Sequence, residues 1–512
     1  MSADETSLTG SRVASEDVAR KVQALRRRLL VERMRVMRKR RGVALILVLG
    51  ALVILTVFVT QLQEQTSAAL SAALAERDSV KAEYHAKSAI NLSRMLIATE
   101  PGIRRMIAPL FMATGKAPPQ IPVWGFSDLI LGPFNDAENA QTFNTSAGVD
   151  SSSGKNLGLK GGHFELKIVD EDSKINANAV VAGDPFTRSR FGAQFLGLVA
   201  PAQYNSVFES QDQDGQFSDR ATVCGAIVDY VDLDETFYNC DPFGNAPPNE
   251  SGEDNFYQQI GLPYVRKNAA LDSFEELHLV RGMTDDFWST FVDPDPEDPS
   301  KRIMTVWGQD KINVNSANAQ TLLAIVCAGA PEAKLCVDPV QMQSFITGVT
   351  LAKSFTQGAP LFNSPKAFTQ AISGKGLLGP MLSSLGVEPV TFRSAKDVQR
   401  AITTESKVFS IYAEGVVPGF NRETRVRIHA VVDFRNAVEL GATAQAAGSG
   451  QTSGQATGPG ALGGLLNPSS IGQNANGQPP ASGSSSSTPS DTDIMAALAS
   501  DPAGSIIYYR IE

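Results

Sequence analysis

The chain has 512 residues, and 42% of them are hydrophobic, a proportion typical of a globular protein and too low for a polytopic membrane protein. This length accommodates two or three domains at about 100–200 residues each. The net charge is −9, and residues 1–42 hold 12 of the 45 Lys and Arg, so the remainder is strongly acidic. An acidic surface argues against binding the phosphate backbone of nucleic acids and favours divalent cations.

One segment is long and apolar enough to cross a bilayer. Val43 to Thr60 are uncharged and almost wholly apolar, and they follow the basic run Arg38-Lys39-Arg40-Arg41-Gly42. As a helix the segment is about 27 Å long, close to the ~30 Å hydrocarbon core. Because the basic residues precede it, we expect a cytoplasmic N-terminus and a single pass, with everything after Thr60 outside.

A basic leader, a glycine and then a retained apolar helix resemble a type IV prepilin or pseudopilin. The resemblance implies that prepilin peptidase cuts between Gly42 and Val43 and that the new N-terminus is methylated. Most members carry Glu at the fifth mature position, which here is Leu47. Lack of that Glu is typical of the minor pseudopilin K family of type II secretion. A plain single-pass anchor without cleavage is the alternative.

The helix is predicted to continue beyond the membrane. Residues 61–99 contain no Pro or Gly, are rich in good helix formers and place apolar residues at helical spacing. The breaker pair in Glu100-Pro101-Gly102 predicts the end of this helix at Thr99. Two helices with an unmarked break are the alternative.

Beyond the helix, alternating strand patterns flank a mainly helical block. Alternation predicts strands at His163–Val169, Val408–Val417 and Thr424–Phe434, and a β-rich run closes the sequence at 505–512. The predicted organisation is a cytoplasmic leader (1–42), a membrane segment (43–60), a periplasmic helix (61–99), the first part of a head (100–183), a helical domain (184–399), head strands (400–437), a disordered Gly/Ser-rich loop (438–493) and a terminal strand (494–512).

This order resembles the protein K family, whose pilin-like head is interrupted by a large helical domain. The expected fold class is therefore α+β, a pilin-like lollipop with a long N-terminal helix, a small antiparallel sheet and a large inserted α-helical domain.

The four cysteines, Cys224, Cys240, Cys327 and Cys336, are expected to form disulfides in an oxidising compartment. Proximity in sequence favours Cys224 with Cys240 and Cys327 with Cys336, but four cysteines allow three pairings and the sequence does not decide among them. Zinc spacing of the C-x2-C kind is absent.

An acidic loop runs from Asp229 to Glu235 and holds four carboxylates within seven residues. Carboxylates held this close repel one another unless a cation neutralises them, and Ca²⁺ takes six to eight oxygen ligands. The protein K family binds calcium at a similar loop. The resemblance carries calcium ligation to Asp232, Asp234, Glu253 and Asp254, and less directly to Asp229. A solvated acidic loop is the alternative.

A second acidic stretch gives a partial match to an EF-hand. Asp212, Asp214, Gly215 and Asp219 follow that pattern, but the twelfth position is Ala221 and not Glu. We expect one or two calcium sites in the chain, and a capped turn is the favoured interpretation of this stretch.

Two further motifs predict packing. Lys174-Ile-Asn-Ala-Asn178 has an echo in Lys311-Ile-Asn-Val-Asn315, and motifs of this kind recur in the protein K family. The segment from Leu262 to Met283 closely resembles a family pattern, in which Ser273 and Glu276 form a capping box and Gly282 ends the helix.

The resemblance implies a structural minor pseudopilin that caps the tip of the type II secretion pseudopilus and helps to initiate its assembly. It implies an inner-membrane protein with a periplasmic head, partnered by minor pseudopilins I and J, the shaft subunits and prepilin peptidase, with no nucleic acid. No catalytic motif is present, so we expect no enzymatic activity. The alternative is a membrane-anchored adhesin or DNA-uptake minor pilin.

Overall fold

The computed structural model describes residues 7–112, 117–132, 135, 161–211, 215–241, 256–356, 358–376, 378–419, 422–437 and 502–512. For residues 7–16 and 36–43 the description covers the backbone alone. The chain divides into two compact units, residues 1–78 and 79–512.

The first unit consists of the N-terminal part of a long helix, α1, which spans Ser7–Met112. The described part of the basic leader, residues 7–42, is therefore helical as well as the apolar segment. Large apolar side chains from Leu45 to Val59 are 51–72% exposed. Of the helices in the described ranges, this one is long and apolar enough to cross a membrane. A surface of this kind is stable in lipid or against other apolar helices, and unfavourable in water.

The predicted end of α1 at Thr99 is wrong, because the helix continues through Pro101 to Met112. A proline inside a helix removes a backbone hydrogen bond and costs about 3 kcal/mol. Here the buried Glu100 carboxylate lies 2.7 Å from Arg104 Nη2, one turn further on, and accepts the Ile121 N–H at 2.9 Å. These tertiary contacts stabilise the turn that contains the proline.

In the second unit a four-stranded antiparallel sheet packs against α1. Its spatial order is β1-β6-β7-β8. The strands are β1 (His163–Asp170), β6 (Val408–Pro418), β7 (Glu423–Asp433) and β8 (Ser505–Ile511). The strands predicted from alternation are therefore confirmed, and so is the α+β fold class with its long N-terminal helix and its large helical part.

The two faces of the sheet are both covered. Ala82, Ala86 and Ala89 of α1 form one core with residues such as Ile411 and Ile428 on the near face. The opposite face contributes residues such as Val408, Val431 and Tyr508 to a second, larger core built by the helical part. Because both faces are covered, most residues of the central strands β6 and β7 are buried.

The helical part lies between β1 and β6 in sequence, as predicted. A short helix, α2 (Ser127–Leu131), precedes β1. The α-helices of four or more residues that the structure describes between β1 and β6 are α3 (Pro185–Val199), α4 (Asn205–Glu209), α5 (Arg220–Val231), α6 (Phe256–Gln259), α7 (Ala319–Gly329), α8 (Lys334–Val337), α9 (Pro339–Thr356), α10 (Pro365–Ile372), α11 (Leu378–Ser384) and α12 (Ala395–Ala401).

Two short parallel pairs of strands fasten the helical part together. The first pairs β2 (Ile175–Asn176) with β3 (Met304–Thr305), and the second pairs β4 (Ile312–Asn313) with β5 (Ile402–Thr403). Both β2 and β4 belong to the Lys-Ile-Asn-x-Asn motifs. The echo seen in the sequence is thus a repeated structural element.

The last Asn of each motif clamps a distant part of the backbone. Asn178 donates to the carbonyl oxygen of Leu271 at 2.8 Å and accepts its N–H at 2.8 Å. Asn315 does the same to Phe362, at 2.9 and 2.8 Å. Each clamped residue comes two positions before a serine that begins a helix. The motifs therefore set where the two helices start.

The segment after Ser273 forms a 3₁₀-helix, Phe274–Leu279, with the predicted capping box. Gly282 has φ = +82°, the left-handed conformation expected of it, although the helix ends before it at Leu279. A Cβ at Gly282 would also meet Val223 at 2.6 Å. Gly282 is thus required by both conformation and packing.

Candidate functional site

The predicted cleavage position lies inside α1. Gly42 and Val43 fall in the part of the helix whose side chains are not described. Leu47, which stands where most pilins have Glu, is 68% exposed among other exposed apolar residues. Cleavage after Gly42 stays a prediction.

A positively charged side chain, Arg188 of α3, contacts the described part of the acidic loop. Asp232 is fully buried, and its Oδ2 lies 2.7 Å from Nη2 of Arg188. The same guanidinium forms an ion pair with Asp234. Asp229, in the last turn of α5, accepts the Tyr238 N–H at 2.9 Å. Arg188 thus offsets part of the negative charge of the loop, from a helix that precedes it in sequence by more than 40 residues.

The charges in this loop perturb each other. Burial opposes protonation of Arg188, but its bond to Asp234 and the charge of Asp232 raise the guanidinium pKa overall. For Asp234, burial acts to raise the pKa, while hydrogen bonds from Arg188 and the Thr236 backbone outweigh it and lower the pKa. Both shifts stabilise the charged pair.

This arrangement fits calcium in chemistry but only partly in geometry. Carboxylate oxygens are suitable ligands for Ca²⁺, and Asp229, Asp232 and Asp234 supply them. However, no three His, Cys, Asp or Glu residues in the described ranges are grouped to hold a metal ion. Glu253 and Asp254 lie outside the described residues. A calcium ion here would have to share the loop with Arg188 or displace it.

The EF-hand-like stretch lies partly outside the description, since Asp212 and Asp214 are not described. Gly215 has a φ of +72°, and the Asp219 side chain accepts the Thr222 N–H at 2.8 Å as the N-cap of α5. Asp219 therefore acts as a helix cap, in line with the favoured interpretation.

Both disulfides join neighbours in sequence. Cys224 is bonded to Cys240, and Cys327 to Cys336, with Cα–Cα distances of 5.8 and 5.6 Å. These are the two pairs that sequence proximity favours. The first ties α5 to the segment that follows the acidic loop, and so it closes that loop covalently.

A buried charged cluster lies at the end of β1, and the sequence did not predict it. Asp170, Glu171, Asp172 and Lys174 are each at most 6% exposed. The Asp172 carboxylate accepts the Gln309 and Lys407 N–H groups, both at 2.6 Å, so it joins the helical part to the sheet. The available signal was a dense charged run immediately after a strand, which local patterns do not distinguish from a solvated turn.

The protonation of this cluster is unusual. Burial, reinforced by the charge of Asp172, raises the pKa of Asp170 to about 7. The hydroxyl groups of Ser316 and Ser406 donate to its Oδ2. Lys174 Nζ lies 2.9 Å from Glu171 Oε1 in a buried ion pair. Every one of these contacts is internal, which indicates a structural role.

The asparagines of the second motif also point inward. Asn313 is 2% exposed and donates to Ser406 Oγ at 2.7 Å, while Asn315 holds Phe362. The second motif therefore uses these two side chains for contacts within the fold.

The sequence matches no model of a known protein family and no curated protein. Among solved structures, the chain is similar to one in the crystal structure of the GspK-GspI-GspJ complex from the type 2 secretion system of enterotoxigenic Escherichia coli. The identity is 14%, the match covers 54% of this chain and 76% of that chain, and the TM-score is 0.33.

Proposed function

We propose that this chain is a minor pseudopilin of type II secretion, of the K kind. One observation carries the proposal. A single helix contains both an exposed apolar segment that follows a basic leader and, further along, an alanine seam (Ala82, Ala86 and Ala89) buried in the same core as an antiparallel sheet. A subunit built in this way can be held in a bilayer before assembly and in a helical fibre afterwards.

The proposed membrane is the bacterial inner membrane, with residues 1–42 in the cytoplasm and the head in the periplasm. The positive leader supports this orientation, and two disulfides support an oxidising compartment. Prepilin peptidase is the proposed processing enzyme.

The proposed position is the tip of the pseudopilus, where the subunit initiates assembly. In pilins the Glu at the fifth mature position pairs with the N-terminus of a neighbour. Leu47 carries no charge to do so, which suits a subunit with nothing above it. The proposed neighbours are minor pseudopilins I and J, and the similar solved structure is a complex of GspK with GspI and GspJ. The shaft subunits lie below them.

The proposed role is structural, without catalysis. His85 and His429 are 1% and 6% exposed and belong to the packing of the fold. The ionisable groups that burial perturbs most, in the cluster at the end of β1, hold two parts of the fold together.

We also propose that the acidic loop binds Ca²⁺, through Asp229, Asp232 and Asp234 with Glu253 and Asp254. The oxygen chemistry and the resemblance support this proposal, and Arg188 is the group with which calcium competes. Bound calcium would supply a fixed positive charge that orders the loop.

The proposed function is tested by intact mass and N-terminal sequencing of the membrane-extracted protein, made with and without prepilin peptidase. We expect an N-methylated chain that starts at Val43, only when the peptidase is present. Gly42→Leu should block the cut. Gly50→Ala is the matched control, since a Cβ at Gly50 meets nothing within 4 Å, and it should be processed normally. An uncut chain under both conditions would rule out a pseudopilin.

Tip position requires a separate measurement. Cysteine crosslinking in purified pseudopili should place this subunit next to minor pseudopilins and at one end of the fibre. Crosslinks along the whole shaft would contradict the tip assignment while leaving the pseudopilin assignment intact.

A further inference from the structure

A pocket of about 360 Å³ opens where α3, α7 and α12 meet. Its apolar lining includes Ala193, Ile325 and Val398. The volume lies within the range of about 300–1,000 Å³ found for ligand sites. None of its lining residues belongs to the acidic loop, the motif clamps or the cluster at the end of β1.

The pocket contains a buried donor. Gln194 lines it and is only 6% exposed, and its Nε2 atom has no hydrogen-bond partner among the described residues. Buried polar groups are almost always hydrogen-bonded, and an unmet one costs about 1–3 kcal/mol. The pocket therefore presents an amide that requires an acceptor.

The lining is positively charged, in contrast to the acidic chain. Arg190, Arg393 and Arg400 line the pocket, and Asp397 is the acidic residue among the lining residues. Each arginine has an acidic partner at present: Asp310, Glu332 and Asp397 in turn. Those acids are 47%, 85% and 69% exposed, and exposed ion pairs contribute about 0–1 kcal/mol each. The arginines can exchange these partners for a carboxylate of another molecule at little cost.

An exposed aromatic residue stands beside the opening. Phe186, in the first turn of α3, lines the pocket and is 80% exposed. Large aromatic and arginine side chains around a concave apolar surface are typical of binding hot spots.

We propose that this pocket binds an acidic peptide segment of a partner protein. A bulky apolar side chain of the segment fills the pocket, a carbonyl oxygen accepts from Gln194 Nε2, and carboxylates contact the arginines. A fatty acid would also fill an apolar pocket and offer an acceptor to Gln194, but its single carboxylate would contact only one of the three arginines, whereas an acidic peptide brings several. The proposal goes beyond the proposed function and is independent of it.

The test is direct binding to the full chain in lipid nanodiscs, which avoids competition from free detergent. The probe is a fluorescein-labelled, N-acetylated peptide containing Glu-Leu-Glu-Phe-Glu, followed by fluorescence anisotropy. We expect saturable binding with one peptide per chain that weakens as salt is raised. The matched peptide Lys-Leu-Lys-Phe-Lys should not bind. Failure of the acidic peptide to saturate would overturn the proposal, whether or not the chain proves to be a pseudopilin.

Substitutions in the pocket test whether the acidic peptide binds there. Ala193→Phe fills the pocket, and Arg190→Gln with Arg400→Gln removes charge from one half-buried and one exposed position, neither of which belongs to the hydrophobic core. Each should weaken binding by about tenfold or more, and Gln194→Leu should weaken it as well. Arg425→Gln with Arg427→Gln makes the same charge change on β7, outside the pocket, and should bind like the unmodified chain.

Two other results would also overturn the proposal. Equal affinity of the Ala193→Phe and unmodified chains would place the peptide elsewhere. Displacement of the peptide by laurate, together with an unchanged affinity in the double arginine variant, would identify a lipid site. Thermal unfolding of each variant checks that it is folded, and the arginine variant keeps the test valid if Ala193→Phe is not.

Discussion

Gly415 of β6 lies directly against Ala82 of α1. A Cβ built on Gly415 would be 1.8 Å from the carbonyl oxygen of Ala82 and 3.0 Å from the amide nitrogen of Ala86. Helix and sheet thus touch backbone to backbone at this point, and no side chain fits between them.

We therefore predict that Gly415→Ala destabilises the protein. The added methyl group must push α1 away from the sheet, and overpacking of this kind costs about 1–3 kcal/mol. Urea unfolding measures the change. Gly102→Ala is the matched control: a Cβ there meets nothing within 4 Å, and alanine favours the helix, so stability should be unchanged or higher. An equal effect of the two substitutions would contradict the contact.

The two asparagine clamps predict similar losses of stability when either asparagine is replaced. Asn178→Ala and Asn315→Ala each leave a backbone N–H and a carbonyl group of the clamped residue without their partner. Each variant should lose about 2–4 kcal/mol of unfolding free energy. Asn91→Ala, at an exposed position of α1, should change it by less than about 0.5 kcal/mol. A loss in only one of the two clamp variants would show that the motifs are not equivalent.

We predict that His429 makes the stability of the protein depend on pH. Burial is the main cause that lowers its pKa from 6.5 to about 4, and the ring stacks on Tyr412 with centroids 4.2 Å apart. Because the folded state binds a proton less readily than the unfolded state, this residue contributes stability above pH 6.5 that is lost as the pH falls toward 4. At pH 5 the loss is about 2 kcal/mol.

The measurement compares unfolding free energies at pH 7.5 and pH 5 for the unmodified chain and His429→Gln. The loss on acidification should be smaller in the variant. Asp170 acts in the opposite direction, because its raised pKa stabilises the fold at low pH, but it is present in both proteins. Equal losses would show that His429 does not titrate as predicted.

The ion pairs of Arg188 predict how calcium affects the stability of the protein. In Arg188→Gln the buried Asp232 loses its ion pair, and removing one partner of such a pair costs about 3–5 kcal/mol. If the loop binds calcium, millimolar Ca²⁺ should restore much of this loss in the variant and stabilise the unmodified chain less. Arg190→Gln breaks an exposed pair in the next turn and should cost at most about 1 kcal/mol in EDTA. Absence of any calcium effect in either protein would rule out the proposed site.

What could be predicted from the sequence depended on how local the signal is. The strands were found because alternation over a few residues reflects burial on a sheet face. The end of α1 was missed because the contact that holds Glu100 comes from Ile121, outside the helix. The role of Arg188 was missed for the same reason, since its carboxylate partners follow it by more than 40 residues and no pattern links them.

The repeated Lys-Ile-Asn-x-Asn motif shows a second limit on what the sequence can predict. Its repetition was visible in the sequence, and a role in packing was expected. The clamps on Leu271 and Phe362 were not predictable, because an asparagine gives no indication of which distant backbone segment it will bind.

The register of β1 and β6 has a consequence for how this protein can vary. Asp170 at the end of β1 is paired with Phe409 at the start of β6, so the whole helical part occupies the place of a turn in a hairpin. Each doubling of such a connection costs only about 0.6 kcal/mol in closure entropy. The length of the connection therefore sets little limit of its own on what is carried between these strands. The limit comes from the sheet face, where Val408, Val431 and Tyr508 must stay covered.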